Sequence, residues 1–208
     1  MQTLTLIESI NLVKKYGITF ANYAEVQTEK ELKTALEKID FPIAMKVVSK
    51  SISHKTEAGG VKINITNFSQ AKKVLTKFKK LRGFEKIIIQ QMIRGTEIII
   101  GGKRDIQFGP TILVGLGGIY VEVFKDFQIG ICPVSKGNAK EMLEKLKSYP
   151  ILKGTRGKKG VNLDKLIETI LKVSNLMLKE ENLQELDLNP LIATEKEIIA
   201  VDARAILK

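Results

Sequence analysis

Apolar positions recur with two different periods along the 208 residues, and the switch between them marks out the elements. Leu6, Ile10 and Val13 fall at helical spacing and Gly17 follows, which predicts an amphipathic helix of about three turns. Thr28 and Glu31 have the spacing of a capping box, and Leu32, Ala35, Leu36 and Ile39 continue one apolar stripe, so a second helix is expected there. Ile43 to Val48 then reads as a buried strand entered through Phe41-Pro42. A polar loop leads to Gly59-Gly60, Val61 to Ile65 alternate as another strand, and Ser69 opens a lysine-rich helix to about Leu81.

Beyond Ile87 the texture changes. Short apolar runs at 87–92, 97–100, 111–114 and 120–124 are separated by glycine turns, the pattern of a strand meander and not of a βαβ series. Helices are expected at 140–147 and 163–178, and strands at 184–188 and 198–203 close the chain as a hairpin around Thr194 to Glu197. This order predicts an α+β protein of two lobes meeting in a cleft, one over 18–90 and one over 91–208, with the helix of 1–17 packing on the second. Glycines and lysines over 154–160 predict a mobile loop.

Composition narrows the class. Apolar residues are 44% and charged residues 27%, ordinary for a globular domain and too apolar for wholesale disorder. No apolar run approaches the ~20 residues that span a bilayer, and the first residues lack the basic head and apolar core of a secretory segment, so a cytoplasmic location is expected. Cys132 is the only cysteine, which excludes an intrachain disulfide and a cysteine-based zinc site. The formal charge is 34 − 23 = +11, enough to attract a polyanion. Against nucleic acid, only five of the 34 cations are arginine, and the lysines are dispersed over helix faces such as Lys72, Lys73, Lys77, Lys79 and Lys80.

Lys46 interrupts an apolar strand, where an ammonium needs either a salt-bridge partner or an anion in a cleft. It precedes Gly59-Gly60, and paired glycines let backbone N–H groups turn toward phosphate oxygens while a lysine supplies the charge. There is no GxxxxGK[ST] loop, and Gly115-x-Gly117-Gly118 does not open a helix, so neither a Walker loop nor a dinucleotide fingerprint is supported. Strand alternation sets Glu185, Asp187 and Asn189 on one face, with Asp202 on the returning strand. Asp187, Asn189 and Asp202 are therefore either solvated strand ends or three oxygen donors for a hard cation such as Mg²⁺. His54, the one histidine, either merely titrates or, beside the phosphate glycines, attacks a phosphoryl group and passes it on.

Met45 to Ser49, His54 to Lys62, Gly95 to Gly101, Phe108-Gly109-Pro110, Gly115 to Glu122, Glu185 to Pro190 and Val201 to Arg204, taken in order, resemble the ATP-grasp β subunit of ADP-forming acetyl-CoA (acyl-CoA) synthetase, a relative of succinyl-CoA synthetase. The resemblance covers essentially the whole chain. It implies two α+β subdomains clamping ATP or ADP, with Lys46 on the phosphates, Gly59 and Gly60 in the phosphate-covering loop, the backbone of Gln91, Met92 and Ile93 at the adenine, and Glu97 near the ribose. It matches Asp187, Asn189 and Asp202 to magnesium ligands and His54 to the histidine that relays phosphate. It also implies a separate α subunit, in an α2β2 assembly, holding the CoA and acyl sites and the primary phosphohistidine. Lys50 stands where related sequences commonly have proline, and Lys158-Lys159 replace a less basic stretch; neither removes a ligand.

The reading that follows is the nucleotide half of a ligase: acyl-CoA + ADP + phosphate ⇌ carboxylate + CoA + ATP. A freestanding ATP-grasp ligase, an acyltransferase-associated fragment and a basic nucleic-acid-binding protein are the alternatives, and no membrane partner is expected.

Overall fold

The computed structural model describes residues 1–49, 59–118, 125–155, 157 and 159–208. The expected strand at 120–124, and Arg156 and Lys158 of the loop expected at 154–160, lie outside the described residues. The chain divides into two compact units, one formed by Met1–Phe20 with Arg94–Lys208, the other by Ala21–Ile93.

The larger unit begins with β1 (Gln2–Thr3) and α1 (Leu6–Lys15). Thr5 and Glu8 cap α1 reciprocally, the Thr5 N–H donating to Glu8 Oε2 at 2.7 Å and the Glu8 N–H to Thr5 Oγ1 at 3.3 Å. Leu6, Ile10 and Val13 are buried at the spacing the sequence shows, and Ser9 accepts from the Ala205 N–H, fastening the helix to the C-terminal strand.

The smaller unit contains β2 (Tyr23–Val26), α2 (Glu29–Leu36), β3 (Ile43–Val48), β4 (Val61–Ile65), α3 (Phe68–Phe78) and β5 (Lys86–Gln91). The Thr28–Glu31 capping box forms as the spacing predicts. Its antiparallel sheet runs β2-β5-β3-β4. One face of the sheet (Ile43, Met45, Val47, Ile65, Ile87, Ile89) packs with Leu32, Leu75 and Phe78 into a single apolar core. The edge strand β2, which the sequence reading did not predict, is four residues long with a charge in it, too little pattern to stand out.

In the rest of the larger unit, β6 (Thr96–Asp105), β7 (Gly109–Leu116) and β8 (Phe127–Ile131) precede α4 (Lys136–Glu144), α5 (Tyr149–Lys153) and α6 (Leu163–Lys179). The chain then runs through β9 (Leu183–Ala193), β10 (Ile198–Ala200) and β11 (Arg204–Leu207). Among the described residues the sheet order is β1-β11-β9-β6-β7-β8, with β10 also on β9. The meander survives as β6-β7-β8, but β9 returns from the far end of the sequence to pair with β6 on its other side. Helix α6 packs on β6 and β7. The helix expected at 140–147 starts earlier, at Lys136, because Ser135 and Asn138 cap it. None of the helices among the described residues is long and apolar enough to cross a membrane.

Candidate functional site

In the larger unit the pairing register lays out one outward face. Gly101 lies between Leu113 on β7 and Asp187 on β9, and Asp187 lies opposite Arg204 on β11. An open hollow of about 680 Å³ there is lined by Gly101, Lys103, Leu113, Asp187 and Arg204 among others. The ladder between β6 and β9 slips by one residue between Ile98 and Ile100, leaving Asn189 and Pro190 as a bulge opposite Ile99.

The partner strand breaks at the same level, which corrects the expectation of a continuous strand over 198–203. Pro190 accepts from the Val201 N–H at 3.2 Å but has no N–H to return, so residues 201–203 leave the ladder and Asp202 follows a bend at Val201. The offset is the same on both sides of the break, Ala200 with Leu191 and Arg204 with Asp187, which brings Asp202 level with Asn189. The Asp187 carboxyl is pushed above the usual carboxylate range by burial and then by the charge of Asp202, with Arg204 pulling the other way. Two carboxylates that repel each other beside an amide oxygen are a donor set suited to a hard divalent cation. No group of three or more His, Cys, Asp or Glu gathers among the described residues, so the amide of Asn189 is needed to complete such a set.

On the same face of β6, two residues above Ile99 toward the N-terminus, Glu97 carries an exposed carboxylate. Its backbone carbonyl accepts from the Gly117 N–H at 2.7 Å, and Gly118 comes against its side chain.

In the smaller unit Lys46 stands in the middle of the sheet, opposite Val61 on β4 and Ile88 on β5, and is 7% exposed. It shares a face with Ala44, Val48, Ile88 and Gln90, the one turned away from the apolar core. Gly60 accepts from the Val47 N–H at 2.8 Å, which fixes the start of β4 beside Lys46. Gly59 has φ +68° with no neighbour near its Cα among the described residues, so there the left-handed backbone calls for glycine.

The stretch expected at the adenine is partly committed. The Gln91 N–H donates to Asn22 O at 3.3 Å and the Met92 N–H to Pro42 O at 3.1 Å, while the Ile93 N–H has no acceptor among the described residues. Gln90, not among the residues expected from the sequence, is 2% exposed with a buried Nε2 that has no partner among the described residues. A polar residue closing an isoleucine run was the available signal. Arg204 is likewise not among those expected.

The structure therefore groups Glu97, Asp187, Asn189 and Asp202 in one unit, and Lys46, Gly59, Gly60, Gln91, Met92 and Ile93 in the other. His54 lies outside the described residues.

A family model described as an ATP-grasp domain matches residues 1–207. The chain is thus an ATP-grasp protein, an α+β fold. The β subunit of ADP-forming acetate–CoA ligase I from Pyrococcus furiosus is 41% identical over 208 residues, 96% of this chain and 90% of that one. A solved structure of Ca. Korarchaeum cryptofilum dinucleotide-forming acetyl-coenzyme A synthetase 1, in complex with coenzyme A and Ca-AMPCP, matches with TM-score 0.91 and 34% identity, over 100% of this chain and 94% of that chain. A second structure of that enzyme holds coenzyme A and Mg-AMPPCP, with its phosphohistidine segment pointing towards the nucleotide binding site; it matches with TM-score 0.87 and 33% identity, over 100% and 93%. Within the ATP-grasp class the chain belongs to the β-subunit type of ADP-forming acetate–CoA ligases.

Proposed function

We propose that this chain is the nucleotide-handling β subunit of an ADP-forming acid–CoA ligase and forms ATP from ADP and a phosphoryl group that a separate α subunit, in an α2β2 assembly, generates from acyl-CoA and phosphate. The observation that carries it is the strand register that brings Asp202 level with Asn189 and close enough to Asp187 for its charge to act there, in a chain of this family, an arrangement whose repulsion a cation relieves. Those three residues would hold Mg²⁺, which when bound neutralises phosphate charge. Lys46 adds a positive charge toward the phosphates, and the Gly59-Gly60 turn presents backbone donors to them. The Ile93 N–H and the Gln90 amide are the donors left for the base, and the Glu97 carboxylate accepts from the ribose hydroxyls. In this reading residues 18–90 form the phosphate-loop subdomain and 91–208 the metal-bearing one.

His54 carries the phosphoryl group. An imidazole nitrogen of His54 forms a bond to phosphorus as the N–P bond to the α subunit's phosphohistidine breaks, returning that imidazole; a terminal oxygen of ADP then takes the phosphorus and the N–P bond to His54 breaks, returning its imidazole. Serine and threonine nearby form esters too stable to serve as ready donors.

Reconstitution tests the whole reading. The purified chain alone binds Mg-ADP and shows no ligase turnover; with an α subunit it makes ATP from an acyl-CoA, ADP and phosphate. His54→Ala keeps the binding but loses ATP formation and the acid-labile phosphate on this chain. Turnover by the chain alone, or an unaltered rate in the variant, refutes it.

A further inference from the structure

We infer that Gly118 is a positioning residue: the absence of a side chain there sets the carboxylate of Glu97, and through it the grip on the ribose of the bound nucleotide. The inference deepens the reading above and rests on its placing of Glu97 at the ribose.

Glu97 is exposed near the start of β6, and among the described residues no hydrogen-bond donor or cation meets its carboxylate. A long glutamate side chain samples many rotamers unless its neighbours confine it, so a binding role needs such neighbours. The confinement comes from the chain leaving β7. Regular pairing there begins with Ile98 opposite Leu116, and one residue further the Gly117 N–H donates to Glu97 O at 2.7 Å, holding the backbone close against β6. At Gly117 a Cβ would lie 2.9 Å from the carbonyl carbon of Ile98 and 3.0 Å from its backbone nitrogen and oxygen, so the approach itself demands glycine. At Gly118 the backbone turns with φ +66°, and a Cβ would overlap Glu97 Oε2. The Glu97 carboxylate thus occupies the space that a side chain at 118 would fill.

Two separate reasons for glycine meet at this position. The left-handed backbone alone would disfavour other residues and would affect only folding. The overlap with Oε2 adds a different consequence: a methyl group at 118 displaces the carboxylate. Only the second reason changes how the nucleotide sugar is recognised, which makes the two separable.

The measurement is the affinity of the full chain for Mg-ADP and for Mg-2′,3′-dideoxy-ADP, by calorimetry, in the parent, Gly118→Ala and Glu97→Ala, with a thermal melt of each. A charged acceptor for the ribose hydroxyls is worth about tenfold or more in preference for ADP. The parent shows that preference, Glu97→Ala abolishes it, and Gly118→Ala loses most of it while binding the dideoxy compound within about twofold of the parent. If Gly118→Ala does not fold, Gly118→Asn carries the same measurement, since asparagine tolerates left-handed backbone. Preference kept in the folded glycine variant but lost in Glu97→Ala overturns the role of Gly118 and leaves the ribose contact standing. Equal weakening of both nucleotides likewise overturns it, as a purely structural effect. A parent that binds both nucleotides equally, or neither, overturns the ribose contact and this inference with it.

Discussion

Lys46→Met separates a phosphate-binding ammonium from a structural one. Methionine keeps the unbranched length of the side chain, removes the charge, and enters a face already lined by Ala44, Val48 and Ile88. All six residues of β3 are buried, so the new thioether meets apolar neighbours and not water. The near-equal volume keeps the packing cost below about 1.5 kcal/mol, a fall in Tm of at most ~6 °C for a chain of this length, and any partner the ammonium holds within the fold adds to it. A hydrogen bond from an ammonium to phosphate contributes a net ~1.5–3 kcal/mol, and each ~1.4 kcal/mol is tenfold, so Mg-ADP binding weakens by about 10- to 150-fold. Calorimetry gives the affinity and differential scanning fluorimetry without nucleotide gives Tm. Binding within twofold of the parent, in a folded variant, refutes the phosphate contact. A collapse of Tm well beyond that range shows instead that the ammonium holds the fold by an ion pair.

Three further perturbations follow from the same structure. Asp187→Asn and Asp202→Asn each raise the Mg²⁺ concentration needed for half-maximal ADP binding by about tenfold or more, with unchanged far-ultraviolet circular dichroism; unaltered magnesium titrations in both refute the cation site. Arg104→Met removes bonds from Nη2 to Met177 O at 2.8 Å and Glu180 O at 3.2 Å and from Nε to Leu183 O at 3.3 Å, which tie the end of α6 to β6. It costs ~2–4 kcal/mol in urea unfolding, and a loss below ~1 kcal/mol shows that the clamp is dispensable. Hydrogen bonds from Lys165 and Lys172 depress the Glu168 carboxyl to about 2, so its contribution is present above the ordinary carboxylate pKa and fades as pH falls through about 2. Glu168→Gln therefore lowers Tm slightly at neutral pH and flattens the loss of Tm below pH ~4.5; an unchanged acid slope refutes the linkage.

How much of this fold was visible beforehand depends on how local each element's cause is. β3 coincides with the apolar run from Ile43 to Val48, α1 buries the Leu6, Ile10 and Val13 stripe, and α2 begins at its Thr28–Glu31 capping pair, because a capping box is complete within four residues. Elements whose reason lies elsewhere in the chain escaped. β8 reads Phe-Gln-Ile-Gly-Ile with a glycine inside and exists because β7 offers its edge; α5 is five residues beginning Tyr-Pro, and Ser148 ahead of it gives no side-chain cap. The position of β9 beside β6 was beyond reach for the same reason. Nothing in Leu183 to Ala193 says which strand, some 90 residues upstream, it will join.

The candidate site divides along the same line, with one reversal. Alternation alone puts Asp187 and Asn189 on one face, and the structure keeps them close; Asp202, however, belongs to no unbroken partner strand and reaches the level of Asn189 just after a bend at Val201. Pro190 is the cause of the bend and was in plain view, since a residue without an N–H leaves its partner strand one donor short. The signal was legible, but its consequence falls on a residue twelve positions away. Gly118 is the opposite case. Its place in Gly115-x-Gly117-Gly118 invites a phosphate loop, a reading the missing helix already disfavoured, and only the pairing of Ile98 with Leu116 reveals that these glycines sit against Glu97. A glycine motif states that a backbone comes close to something, or turns where side chains resist. What it comes close to is set by strand register, which no local pattern in the sequence carries.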